Sequence, residues 1–221
     1  MSLDGSDDAR SNILSRIRKG LGRGAHASPA ELQSLDAWMA ARPRGPLNAV
    51  EGELVEVFRA RAEAMQSTTA RVATLGQAPA EAARYLAARG LPVSGCVWPA
   101  MAQLDWAGNG IRVEARVAVD ADSLGISGAY AAIAETGTLM VVSGADTPAS
   151  VSLLPETHIA IVEARRVVAH MEDAWALLRG EPVALPRAVN FISGPSRTGD
   201  IEQTIVLGAH GPFRVHLIIV G

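Results

Sequence analysis

The chain has 221 residues, 48% of them hydrophobic, and a net charge of −3 from 20 Lys+Arg against 23 Asp+Glu. That length and apolar content suit one large domain, or one domain with an appended arm, and the charge lacks the basic footprint of a nucleic-acid binder. A single cysteine, Cys96, excludes an internal disulfide, a CxxC redox pair and a cysteine-ligated iron–sulfur cluster within the chain.

The start is polar and acidic, with Asp4, Asp7 and Asp8 and no apolar stretch of the kind a secretory signal carries. No later run approaches the roughly 18–20 apolar residues of a membrane span, so the expected address is cytoplasmic. Residues 11–21 predict a short amphipathic helix, capped by Ser11 or Asn12, with Ile13, Leu14, Ile17 and Leu21 on one face. Residues 22–50 are broken by Pro29, Pro43 and Pro46 and read as a linker or irregular arm, with one helical piece over 30–41. Residues 1–50 are therefore assigned to an N-terminal arm and 51–221 to an α/β domain.

From Glu51 to Leu75 the spacing predicts helix, with Leu54, Phe58, Ala62, Met65, Thr69 and Val72 three and four residues apart. Pro79 opens a second helix that runs to Arg89, and Gly90 closes it. After Gly90 short apolar runs take over: Leu91 to Trp98, Ile111 to Val119, Thr138 to Ser143, His158 to Glu163, Val189 to Ile192 and Phe213 to Val220. Most are apolar on consecutive residues, the pattern of strands buried on both faces of a mostly parallel sheet. Gly108-Asn109-Gly110 reads as a hairpin turn that makes part of the sheet antiparallel. Glu172 to Arg179 is a helix stopped by Gly180. The expected class is a mostly parallel α/β fold behind a helical N-terminal third.

Three polar segments interrupt the apolar runs. In Glu135-Thr136-Gly137-Thr138 a carboxylate precedes two hydroxyls and a glycine that lets backbone approach a ligand, or the segment is a turn with Glu135 solvated. Ser193 to Glu202 packs two glycines, a proline, two serines, a threonine, one cation and two anions into ten positions. There Arg197 offers a planar fork for carboxylate or phosphate, and Ser196, Thr198 and the local backbone add donors. Equally, Arg197 pairs with Asp200 or Glu135 as a structural ion pair, and Thr198 or Asp200 caps a helix starting near Ile201. Gly208-Ala209-His210-Gly211-Pro212 places His210 in a tight turn, as a proton shuttle, a ligand or a satisfied turn residue.

The other histidines carry weaker signals: His158 begins a run and faces the sheet edge, His170 precedes a helix it can cap, and His216 alternates with apolar neighbours. Cys96 lies inside an apolar strand as an inert thiol. The zinc, P-loop, nucleophile-elbow and dinucleotide signatures are all missing from the sequence.

Taken together, Glu135-Thr-Gly-Thr138, Ser193-Gly-Pro-Ser-Arg-Thr-Gly-Asp-Ile-Glu202 and Gly208-Ala-His-Gly-Pro212 resemble the signature blocks of the LutC/YkgG family, the lactate-utilisation (LUD) domain proteins. The likeness covers roughly residues 70–221. Gly199 stands where alanine is usual in that pattern, and Ala209 where valine is usual. The resemblance implies a three-layer α/β/α fold like that of the NagB/RpiA/CoA-transferase group. It also implies oxidation of L-lactate to pyruvate beside two iron–sulfur-type partner proteins, with this chain as the subunit without a cluster.

Three functions follow as alternatives. In the first, the chain binds the hydroxy acid or another small anion: Arg197 clamps the carboxylate, Glu135 or His210 takes a proton, and Thr136, Gly137, Thr138, Ser196, Thr198, Asp200 and Glu202 complete the site. Glu135, Arg197 and His210 are then expected together at one sheet edge. In the second, it is a stand-alone CoA-transferase-like or sugar-phosphate enzyme with Glu135 as nucleophile or base. In the third, it is a non-catalytic binding or regulatory subunit that docks through Ile13, Ile17 and Leu21.

Overall fold

The computed structural model of the chain describes residues 4–24, 26–181, 185–201 and 204–221. Two compact units divide it, one ending at Leu47 and the other spanning Asn48–Gly221. The first unit holds α1 (Asp4–Gly20) and α2 (Pro29–Ala41). Ser28 starts α2 with a reciprocal cap: its Oγ accepts from the Glu31 amide at 3.2 Å, and Glu31 Oε2 accepts from the Ser28 amide at 2.8 Å. No residue of α2 is buried.

The second unit begins with α3 (Leu54–Ala64), β1 (Thr68–Val72) and α4 (Ala78–Ala88). Then come β2 (Ser94–Val97), β3 (Arg112–Ala115), β4 (Leu124–Gly128), β5 (Ala131–Ile133) and β6 (Thr138–Val142). Next are α5 (Ser150–Leu153), β7 (Thr157–Glu163), β8 (Val167–Val168) and α6 (Met171–Gly180). Last are β9 (Val189–Ile192), β10 (Arg197–Ile201), β11 (Thr204–Leu207) and β12 (Arg214–Val220).

The centre is a six-stranded sheet in the order β1-β12-β7-β4-β2-β3, parallel at every junction. Its central strands β12, β7 and β4 are buried on both faces, whereas the edge strands β1 and β3 are partly exposed. In β12 the alternation decides which layer each side chain meets. Val215, Leu217 and Ile219 join the cluster that holds α3 (Val55, Phe58, Ala62), and Ile218 joins the one that holds α4 (Ala82, Leu86). Helices on both faces make the α/β class expected from the apolar runs.

A second sheet, β8-β5-β6-β9, was not legible in the sequence. Ala132, Ala134, Leu139 and Val141 turn one face to the α3 cluster, and Ala131, Ile133 and Met140 turn the other to Ala174 and Leu178 of α6. The antiparallel pairing expected at Gly108–Gly110 occurs here instead, between β5 and β6 and between β6 and β9.

Four local expectations are corrected. The helix expected over Glu51 to Leu75 ends at Ala64, and Thr68–Val72 is a strand. Gln66 turns the chain at φ 69°, the Ser67 amide closes on Ala62 O at 3.0 Å, and β1 then pairs in parallel with β12. Residues Ala107–Asn109 form a 3-10 turn rather than a hairpin. The Gly108 amide bonds Asp105 Oδ1 at 2.9 Å, and β3 pairs in parallel with β2. Ile201 ends β10, which forms a hairpin with β11, so Thr198 and Asp200 cap no helix there. His158 lies in β7, between β12 and β4, and is fully buried rather than at a sheet edge.

Candidate functional site

The first polar segment leaves β5 and docks on β8 through the Ala134 and Glu135 amides, which bond Val168 O and Ala169 O at 2.8 and 3.0 Å. Glu135 Oε1 accepts from Asn48 Nδ2 at 3.0 Å. The carbonyl of the same Asn48 accepts from His170 Nε2 at 2.9 Å. His170 is held in turn by its amide on Asp173 Oδ2 at 3.0 Å, with its Nδ1 3.5 Å from that oxygen. The Asn48 carbonyl, with the charges of Glu135 and Asp173, raises the His170 pKa above the ordinary imidazole value. The result is a carboxylate, an amide and a protonatable imidazole in one hydrogen-bonded row.

Gly137 is required by geometry. Its φ is +66°, and a Cβ there would fall 2.3 Å from the Ala62 amide nitrogen, so the loop backbone lies directly on α3. Beside it Thr136 Oγ1 donates to Thr138 Oγ1 at 2.7 Å, and Thr138 Oγ1 lies 2.6 Å from Ser193 Oγ.

The second segment follows β9. Gly194, at φ +77°, passes so close to the end of α3 that a Cβ would lie 2.1 Å from Met65 O. Arg197 opens β10 and donates from Nη2 to the same Met65 O at 2.7 Å. Arg197 is exposed, and among the described residues its side chain makes no other hydrogen bond. Ser196 is tied by its backbone: its amide bonds Pro212 O at 2.8 Å, and its carbonyl accepts from the Gly208 amide at 2.9 Å. Thr198 pairs with Val206 in the hairpin. The backbone of Asp200 lies in β10, and Glu202 falls outside the described residues. The third segment turns at Gly208 (φ +74°) and carries His210, exposed, at its tip.

The three segments are thus one connected surface. Thr138–Ser193 joins the first to the second, and Ser196 joins the second to the third. Glu135, Arg197 and His210 are not joined to one another by any hydrogen bond or ion pair among the described residues. Glu135 turns to Asn48, Arg197 to Met65, and His210 to solvent. The ion pair between Arg197 and Glu135 weighed from the sequence does not form.

Sequence reasoning passed over Asn48 and gave His170 only a capping role. Asn48 stands in the Pro/Gly-rich stretch and meets its partners 87 and 122 residues away, which no local signal announces. Cys96 is buried, and burial pushes its thiol up to about 12, so it is inert as expected. Among the described residues no helix is long and apolar enough to cross a membrane.

Known proteins resemble this chain. The model of the LUD domain matches residues 99–220, which contain all three segments. "Lactate utilization protein C" of an Exiguobacterium species is 32% identical over 225 residues, covering 96% of this chain and 95% of that protein. The protein of that name from Bacillus subtilis is 35% identical over 127 residues, 56% of this chain and 53% of its own length. "Lactate utilization protein C 1" of Bacillus mycoides is 42% identical over 103 residues, 45% and 44%. The match therefore spans about half the length of these two Bacillus relatives. A crystal structure of a DUF162 family protein from Deinococcus radiodurans shares the fold, with a TM-score of 0.57 and 23% identity over 79% of this chain and 100% of that one. With the domain match enclosing every signature segment and one relative aligned along nearly its whole length, the chain belongs to the LUD domain family.

Proposed function

We propose that this protein serves lactate utilisation in the cytoplasm, as the subunit that holds the hydroxy acid while iron–sulfur partner proteins accept the electrons. The observation that carries this reading is the joining of the three segments through Thr138–Ser193 and Ser196–Pro212, in a chain whose relatives are named for lactate utilisation.

In this reading Arg197 binds the substrate carboxylate with the N–H groups not used on Met65 O. Ser196, Thr198, the Thr136–Thr138 hydroxyl pair and the backbone at Gly137 line the approach, and Asp200 and Glu202 are assigned to the same site from the sequence. Oxidation of L-lactate to pyruvate removes the C2 hydrogen, the hydroxyl proton and two electrons. Glu135 or His210 receives the hydroxyl proton. The C2 hydrogen and both electrons pass to a redox group that the partner proteins supply, the hydrogen ending as a second proton and the electrons reaching the clusters one at a time. The Asn48 hydrogen bond supports the first choice of base, because it holds the Glu135 carboxylate in place to receive the proton.

The test is lactate-dependent reduction of an artificial electron acceptor, with the purified chain alone and then with two iron–sulfur partner proteins. Activity is expected only in the mixture, and Arg197→Gln should raise the KM for lactate about tenfold or more. Absence of lactate-dependent electron transfer in the full mixture would overturn the reading.

A further inference from the structure

A cleft of about 460 Å³ opens along the edge strand β1, apart from the three segments. Glu63, in the last turn of α3, and Arg89, the C-cap of α4, both line it. Its walls also include Ser67, Thr68, Tyr85 and His216. The His216 ring stacks on Tyr85 with centroids 3.9 Å apart and planes 6° from parallel, and its Nδ1 lies 2.8 Å from Thr68 Oγ1.

Polar capacity is left over here. Ser67 Oγ and His216 Nε2 are buried without a hydrogen-bond partner among the described residues. The Nε2 atom is 3.7 Å from Glu81 Oε1, beyond bonding reach, and Glu81 is taken up by Arg84 at 2.5 and 2.8 Å. Buried polar groups of this kind call for a hydrogen-bonding partner in the cleft. The Arg89 guanidinium lies 5.0 Å over the Tyr85 ring and has no carboxylate partner among the described residues.

The charges select the ligand. A simple anion would meet the Glu63 carboxylate, one oxygen of which accepts from Thr69 Oγ1. A simple cation would meet Arg89 and Arg84. A ligand with one charge of each sign opposes neither. We propose that this cleft binds a small zwitterion of the α-amino-acid class, with its carboxylate on Arg89 and its ammonium group on Glu63. The volume exceeds the amino-acid head, so a side chain fits beside it. The site uses none of Glu135, Arg197 or His210 and stands independently of the lactate reading.

The experiment measures binding to the full chain by calorimetry for each of the common L-amino acids, with L-lactate and pyruvate for comparison. At least one amino acid should bind, and tighter than L-lactate, which lacks the ammonium group. Glu63→Gln and Arg89→Gln, both at exposed positions, should each weaken it about fivefold. Arg197→Gln should leave it unchanged. Binding of no amino acid, equal binding of lactate, or indifference to both cleft variants would overturn the proposal. Binding lost with Arg197→Gln would also overturn it and place the ligand on the three segments instead.

Discussion

The six-stranded sheet and the surface of three polar segments are held by different means. The sheet buries continuous aliphatic runs and absorbs two histidines in neutral form: His158 on Ser127 at 2.8 Å, and His216 on Thr68 at 2.8 Å. The segments have little to bury. They are joined by backbone passing over backbone at Gly137 and Gly194 and by a short hydroxyl chain. The first arrangement is sensitive to charge. The second is sensitive to single atoms of added volume and leaves polar side chains at the surface.

Acid breaks the comparison on the side of the sheet. Burial lowers the pKa of both His158 and His216 to about 4, from an ordinary 6.5. Between those values the unfolded chain binds protons that the folded chain refuses. Stability is therefore complete above pH 6.5 and declines as pH falls toward 4. The loss should reach about 3 kcal/mol for each histidine, some 6 kcal/mol together, in urea unfolding at pH 7 and pH 4. A pH-independent midpoint across that window would contradict the neutral assignment.

Volume breaks it on the other side. Gly137→Ala combines a left-handed φ with contact on the α3 backbone, and should destabilise the fold by about 4 kcal/mol in the same assay. Thr138→Val keeps the shape and removes the central hydroxyl of the chain to Ser193. It should cost about 1–2 kcal/mol, and less if Thr136 and Ser193 find each other. Gly199→Ala is the smallest effect. A Cβ there meets nothing within 4 Å, so the change should stay within about 0.5 kcal/mol. A large loss at Gly199 would show that the hairpin is packed more tightly than its contacts indicate.

Legibility follows the same division. The runs at β7 and β12 were readable because strands buried on both faces tend to be apolar on consecutive residues. α4 was readable from Pro79 and Gly90, which mark a helix at both ends. β1 was not, because Thr69 and Val72 continue the helical spacing of α3 by coincidence, and β12, whose pairing makes the segment a strand, lies at the far end of the chain. Leu124–Gly128 also escaped. Two glycines and a serine hide a strand that is buried at all five positions. Among the candidate site residues, the polar segments were recognisable by composition, whereas the Asn48–Glu135–His170 row was not.

The amino-acid sequence by itself determined the α/β class, the apolar runs that form the heart of the central sheet, and three polar segments with a family resemblance. Local composition suffices for these, since burial demands apolar residues and tight turns demand glycine. Only the tertiary structure decided that Glu135 faces Asn48, that Arg197 spends one donor on Met65 O, and that His216 lies buried between Thr68 and Tyr85. Each of those contacts joins residues far apart in the chain. Their partners are selected by how the sheets and helices pack, which no short window of sequence encodes.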